Sequence, residues 1–454
     1  MSPRRKVRTS ELSPSSREKN QWVYVFLFIL VGGFFLFYMF RWQQADDYDR
    51  FERAREYAEY HKEFFVERPL TFNVLGDMTL MIRSTNLGSE FWGKEFPSML
   101  AQTELEVNEI LKYSAYLNDR DPEDRFKKKE VYLSSHPDIY DILEKGKKIS
   151  EKSLFNIASG EIFDFWHIAL RRKRVPDLKN LKEFIPFADP KRIELSEDEK
   201  KVRINSVNTG VDFSFFREAL FLKKLEKKLP TENFHYLIFL GDRHGMWFLP
   251  EKFVRWTVTV DNPYELKNKA RGALRLMPER GFFVVTRALE DRVSVELPEL
   301  TEKIRADIEK LEGSEARREY LIKMREEYPP PRYVFNPADM TMNKNYDLPV
   351  DWRTGMPVEN NVFAMVIDDD PVRGRMLSYS LYISNEEERN EFIEQWGDII
   401  FAVVQSDDTV FVPEKFRDLY LTNEEIEKLR IEHENRRRGL NPDGSVPEDR
   451  KGLL

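Results

Sequence analysis

At 454 residues the chain is long enough for two or three domains, or for one large domain with extensions. Hydrophobic residues at 41% and charged residues at 33% make it globular rather than disordered, and a net charge of −8 spread along the chain leaves no basic footprint for nucleic acid. The absence of cysteine excludes disulfides, thiolate catalysis and Cys-ligated zinc or iron–sulfur sites.

Residues 1–21 are rich in Ser, Pro and Arg and predict a disordered cytoplasmic tail. Residues 22–40, WVYVFLFILVGGFFLFYMF, hold 19 residues and no charge. As a helix they would be about 28 Å long, close to the ~30 Å of a hydrocarbon core. Trp22 and Tyr24 stand at one end, Tyr38 and Trp42 at the other, where interfacial anchors belong. The run is too long for a signal-peptide core, and FYMFRWQQ offers no small-x-small cleavage site. Residues 1–21 carry six Lys/Arg against two Glu, whereas residues 41–60 carry four Arg against six Asp/Glu. Positive-inside then predicts a single-pass protein of the cytoplasmic (inner) membrane, its N-terminus in the cytoplasm and its body in the periplasm or extracellular space.

Residues 41–66 lack Gly and are laced with i,i+4 charge pairs, which predicts a helical stem. The body is expected over 67–420. RPLTFNVLGDMTLMIRST alternates as a strand does, and FPSMLAQTELEVNEILKYSAYL and HPDIYDILEKGKKISEKS have helical periodicity. KRIELSEDEKKVRI predicts a hairpin, SFFREALFLKKLEKKLP a helix closed by proline, and FHYLIFLGD and RWTVTVDNP two strands. A highly charged helical insertion is expected near 297–330, and 421–454 reads as a polar helix and flexible tail. Strands and helices mix without βα alternation, so the class is α+β.

VIDDDPVRGRMLSYSLYI, Val366 to Ile383, places three carboxylates in a row before Pro371. Neighbours in a strand point to opposite faces, so at most two of Asp368, Asp369 and Asp370 could converge on a cation. The expectation is a solvated loop, partly paired with Arg373. His167, His235 and His244 are expected to be structural. No P-loop, H-E-x-x-H or G-x-S-x-G is present.

Leu75-Gly76-Asp77, Ser114-Ala115-Tyr116, the turn holding Gly160, Phe163, Asp164 and Trp166, the Arg192–Ile204 hairpin, Trp256 to Pro263, and Asp351-Trp352-Arg353-Thr354-Gly355-Met356-Pro357 follow one another in a recognisable order. In this they resemble the FAD:protein FMN transferase family, the ApbE-type flavin transferases, over roughly residues 70–415. The resemblance implies the α+β flavin-transferase fold. It also implies a protein tethered outside the cytoplasmic membrane that binds FAD and magnesium and moves FMN onto a Thr or Ser of a redox-complex subunit.

The chain departs from the family at the ligand. The family's D-L-G-G-x-x-K-G-Y falls on Asp212 to Leu220, where Ser214 and Phe215 replace the glycine pair, Glu218 the lysine and Ala219 the second glycine. Its G-G-D falls on Leu240-Gly241-Asp242. Its metal-ligating A-D-A-L-x-T-A falls on Gly374 to Ser380, so Arg375 and Tyr379 stand where the family has ligating Asp and Thr. Asp212, Asp242 and Thr354 remain as matches to catalytic positions, and Gly76, Ser114, Gly241 and Gly355 as matches to cofactor-binding positions. Neither FAD nor magnesium is expected to bind. The favoured reading is a degenerate, membrane-anchored pseudoenzyme that serves as a binding or scaffolding subunit. Its expected partners are the lipid bilayer and other membrane-associated or extracytoplasmic proteins. The alternatives are a divergent but active Mg-dependent FAD:protein FMN transferase, and a domain that binds another anionic ligand through Arg375, Arg353 and Arg243.

Overall fold

The computed structural model describes residues 64–437 apart from short internal stretches, the longest being 85–90, 250–256 and 265–269. The tail 1–21, the apolar segment 22–40 and most of the stem therefore lie outside the described residues. Among the described residues no helix is long and apolar enough to cross a membrane. Contacts divide the chain into two units, Met1–Phe65 and Val66–Leu454.

The alternating stretch expected as one strand forms two, β1 (Phe64–Phe72) and β2 (Gly76–Ser84). Helix α1 (Phe96–Asn118) has proline in its first turn and buries Leu100, Val107, Ile110 and Leu117 at helical spacing. After the two-residue β3 (Val131–Tyr132) come α2 (Pro137–Ser150), α3 (Gly160–Arg172) and α4 (Leu178–Phe184). Asp177 caps α4 through its side chain. β4 (Ile193–Ser196) and β5 (Lys201–Ile204) pair as the expected hairpin. A 3-10 turn at Ser214–Phe216 then leads into α5 (Arg217–Glu226).

The centre of the body is built from β6 (Phe234–Gly241), β7 (His244–Leu249), β10 (Glu279–Arg287), β16 (Asn361–Asp368), β17 (Ile400–Gln405) and β18 (Val410–Phe411), with β8 (Thr257–Asp261) and β9 (Ala270–Arg275) in a separate small sheet. The main sheet runs β1-β2-β6-β7-β10-β16-β17-β18. Its pleat separates two cores. Phe282, Ala364 and Val366 face one, with α8 (Pro371–Ile383) and α5; Phe283, Val285, Met365 and Ile367 face the other. β16 is thus buried on both faces, and all eight of its residues are buried.

The charged insertion is a helical pair rather than one long helix. Between β11 (Asp291–Glu296) and β12 (Tyr333–Asn336), α6 (Pro298–Glu309) and α7 (Ser314–Glu327) are separated by Gly313, whose φ of +88° suits a residue without Cβ. They cover β13 (Thr341–Leu348), with Ile304, Met324 and Met342 as a small core of their own. The chain continues through the tight pair β14 (Val350–Asp351) and β15 (Met356–Pro357), and after α8 through α9 (Glu386–Trp396), β19 (Tyr420–Thr422) and the polar helix α10 (Asn423–Arg437). Residues 438–454 lie outside the described residues.

Candidate functional site

Three segments that carry the family-like motifs meet under the main sheet. The first is the turn after β5. Asp212 accepts from Ser214 N at 2.8 Å, an Asx turn that sets the backbone for the 3-10 turn behind it. Ser114, on the last turns of α1, accepts from Phe213 N at 2.7 Å. Asn118, one helical turn on, bonds both the N–H and the carbonyl of Val211. His167 Nδ1 of α3 stands 4.0 Å from Asp212 Oδ2 and 3.8 Å from Asp164 Oδ1. Beneath this turn Lys128 is buried, paired with Glu161 and bonded to Asn118 Oδ1 at 3.2 Å. Burial pushes its ammonium down, and Glu161 works against that.

The second segment is α8. Pro371 opens it, and Asp370 caps it by accepting from Val372 N at 3.0 Å. Lys145 of α2 and Lys223 of α5 reach the same carboxylate at 2.7 and 3.2 Å. Burial alone would raise Asp370; these two cations hold it below its ordinary value. Asp368 is buried and receives the fork of Arg373, with Nε at 2.9 Å from Oδ2 and Nη2 at 2.7 Å from Oδ1. Asp369 alone is exposed, and also pairs with Arg373. The expected solvated loop is thus corrected in two of its three carboxylates. A strand end buried on both faces, followed at once by a helix cap, buries Asp368 and leaves Asp370 only partly exposed. The pairing with Arg373 holds.

Arg375 is 3% exposed. Its Nε donates to Phe215 O at 3.1 Å, and its Nη1 donates to Val285 O at 2.6 Å and Thr286 Oγ1 at 2.9 Å. The guanidinium also lies over the Phe215 ring, 4.2 Å from its centroid. Tyr379, one turn along α8, is buried and donates to Val350 O at 2.6 Å. Burial pushes its hydroxyl well up, so it stays protonated. Its ring meets Phe215 at 5.3 Å, Phe163 at 5.9 Å and Phe155 at 6.1 Å, edge to face in each case. The sequence singled out Phe215, Arg375 and Tyr379 as departures. It gave no signal for Phe155, or for Val285 and Thr286 of β10.

The third segment is the turn joining β14 to β15. Gly355 has φ +69°, and its carbonyl accepts from the buried Trp166 Nε1 at 2.9 Å. This bond ties the Gly160–Trp166 motif to the Asp351–Pro357 motif. Thr354 is exposed, and its hydroxyl donates to Asp351 O. Arg353 is committed to Asp351 and Glu388, with a further bond to Ile383 O at 3.0 Å. It is a brace between this turn and α9, already engaged by two carboxylates where the alternative reading has it bind an anion. Arg243 and Asp242 lie outside the described residues. Gly76 opens β2, and Gly241 closes β6 opposite Met78. His244 is buried in β7; the His235 side chain is outside the described residues.

A guanidinium offers donors only, and the Tyr379 hydroxyl is a buried, neutral group turned to Val350 O. Arg375 thus supplies no oxygen to a magnesium ion, which takes about six, and Tyr379 supplies no anionic one. Among the described residues no group of three or more His, Asp or Glu side chains is placed to hold a metal ion.

The ApbE family model matches residues 98–287. The chain carries an ApbE-family domain. The crystal structure of the ApbE protein of Thermotoga maritima superposes with a TM-score of 0.53 at 13% identity, over 78% of this chain and 99% of that one. At that identity the likeness shows the ApbE-like mixed α/β fold. The flavinyl transferase ApbE of Pseudomonas stutzeri, in its apo form, gives 0.49 at 10% identity over 79% and 97% of the two chains. The flavin transferase ApbE of Vibrio cholerae gives 0.48 at 11% over 79% and 99%. No curated protein matches the sequence.

Proposed function

We propose that this ApbE-type chain is a pseudoenzyme, anchored by residues 22–40 with its body outside the cytoplasm, and that it serves as a binding or scaffolding subunit of a membrane-associated complex. One observation carries the reading. Where the family-like motifs place a glycine pair and two metal ligands, this chain packs Phe215, Arg375 and Tyr379 against one another. The ring of Phe215 takes space that a glycine leaves open. Arg375 sets a fixed positive charge at the cation's position, and Glu218 puts a carboxylate where a lysine would neutralise phosphate. The internal bonds of Arg375 and Tyr379 make both replacements part of the core rather than loose ends in a cleft.

Loss of one charge-assisted contact costs about 1.5–3 kcal/mol, so two or three such losses amount to roughly 3–9 kcal/mol. At ~1.4 kcal/mol per tenfold, micromolar binding becomes millimolar or weaker. The test is a titration of the full-length chain in detergent with FAD, following flavin fluorescence, with and without magnesium. The expected result is no saturable quenching. A magnesium-dependent dissociation constant in the low micromolar range would overturn the proposal in favour of an active FAD:protein FMN transferase.

A further inference from the structure

A pocket of about 350 Å3 opens beside the β14–β15 turn, lined by Tyr264, Arg332, Lys344, Tyr346, Asp347, Thr354 and the residues from Met356 to Glu359. Its volume lies in the range of small-molecule sites. Two of its walls are tyrosine rings, and its charges are unevenly matched. Asp347 is buried and fully engaged: Arg292 donates to it at 2.6 and 3.2 Å, and Tyr264 Oη at 2.7 Å. Burial and Asp347 together hold the Tyr264 hydroxyl protonated. Arg332 pairs with Glu359, through its side chain and its carbonyl, both at 3.2 Å.

Lys344 is different. It sits on β13 opposite Tyr333 of β12. Its ammonium lies 5.0 Å from the Tyr346 ring centroid and 5.8 Å from that of Tyr333. No carboxylate among the described residues pairs with it. The residue is half-buried. A cation held between two rings at a pocket wall, with every neighbouring carboxylate already matched, creates a local field that an anion would complete.

We propose that this pocket binds a small aryl anion, a phosphate or carboxylate joined to a single flat ring. The anionic group would pair with Lys344 and the outer edge of Arg332, while the ring lies against Tyr264 or Tyr346. The site involves neither Phe215, Arg375 nor Tyr379, and it is too small for a whole dinucleotide. Thr354 of the family-like turn lines it, so the probe that tests it is a single-ring phosphate rather than FAD.

Calorimetric titration of the full-length chain with phenyl phosphate tests it, with inorganic phosphate and phenol as the two halves of the probe. Phenyl phosphate should bind at one site and more tightly than either half. Lys344→Gln should weaken it about ten- to a hundredfold, the value of one charge-assisted contact. Lys344→Arg should retain most of the affinity, which separates loss of charge from loss of fold. Lys323→Gln, on the exposed face of α7, should change nothing. Absence of saturable binding at millimolar phenyl phosphate overturns the proposal, and so does equal affinity in Lys344→Gln.

Discussion

Arg375 holds Phe215 in two ways: its Nε donates to the Phe215 carbonyl at 3.1 Å, and its guanidinium stacks 4.2 Å from the centroid of the same residue's ring. These are two of the positions at which the chain departs from its family's pattern. They depart together, one supplying the ring and the other the cation that covers it. A ring in the place of glycine and a guanidinium in the place of carboxylate are each awkward alone. Packed together they form a closed core contact.

Phe215→Ala therefore tests the core before it tests any cofactor. The ring meets Phe155, Phe216 and Tyr379 as well as Arg375. Truncating a buried phenylalanine costs about 3–5 kcal/mol, and half-buried Phe215 should lie at or just below the bottom of that range. Urea unfolding should show a lower midpoint with an unchanged slope. A midpoint equal to the parent's would mean that the ring is not a packing element.

Arg375 is tested by two substitutions of unlike chemistry. Arg375→Met keeps much of the volume but leaves the carbonyls of Phe215 and Val285 without this donor, at about 1–3 kcal/mol each. Arg375→Asp recreates the family-like carboxylate and adds an unpaired charge in a buried site, so it should be the more damaging of the two. If Arg375→Asp were the more stable variant, or if millimolar magnesium raised its melting temperature, a latent metal site would exist here.

Asp368 supplies a pH signature. Burial pushes its carboxyl from an ordinary 3.8 up to about 6, and the fork of Arg373 only partly opposes this. The folded state then keeps a proton that the unfolded chain releases, so this residue's contribution to stability falls as pH rises from about 4 to about 6 and is level above that. The shift corresponds to about 3 kcal/mol. Asp370, held low by Lys145 and Lys223, acts with the opposite sign at lower pH. The measurement is thus the difference in unfolding free energy between Asp368→Asn and the parent. The variant should gain on the parent by about 2–3 kcal/mol from pH 4 to pH 7. A difference that does not change with pH would mean that Arg373 keeps the carboxylate ionised throughout.

The periodic parts of the fold were legible in the sequence. The β4–β5 hairpin has one face against the core, so Ile193, Val202 and Ile204 alternate with exposed residues. Helices α1 and α2 likewise show one apolar stripe. The centre of the fold was not legible in that way. Every residue of β16 is buried, and so are twelve of the thirteen in α8. An element covered on all sides carries no period to read. The same limit applied to the site. Phe215, Arg375 and Tyr379 stood out because each broke a motif by residue type. Asp370 stood out only as part of its carboxylate triplet, and nothing in the sequence pointed to its partner Lys145, 225 positions away. The charged insertion near 297–330 is helical, and Gly313 is where its backbone divides it into two helices, a break that the run of charges did not show.

The proposed membrane topology can be checked by reporter fusion. The excess of Lys/Arg before residue 22 predicts that a reporter active only outside the cytoplasm, fused after Leu454, is active. Protease added to spheroplasts should digest the body and spare residues 1–21. A fusion active only in the cytoplasm would reverse the orientation.

Gly355 separates a residue kept for a ligand from one kept for the fold. Its φ of +69° is one that L side chains rarely adopt, and a Cβ there would come within 1.9 Å of Leu181 Cδ2 on α4. Its carbonyl also receives the only donor that the buried Trp166 side chain has. Gly355→Ala must therefore both strain the turn and push Leu181 aside. A strained φ costs about 1–3 kcal/mol, and displacing a packed side chain about 1–3 more. The expected result is a loss of roughly 2–5 kcal/mol in urea unfolding. Trp166 fluorescence should change with it, because the indole loses its bond when the turn shifts. This loss should be the same in the presence and absence of FAD. If Gly355→Ala were instead as stable as the parent, Gly355 would be dispensable to the fold, and its match to the family pattern would point back to a ligand.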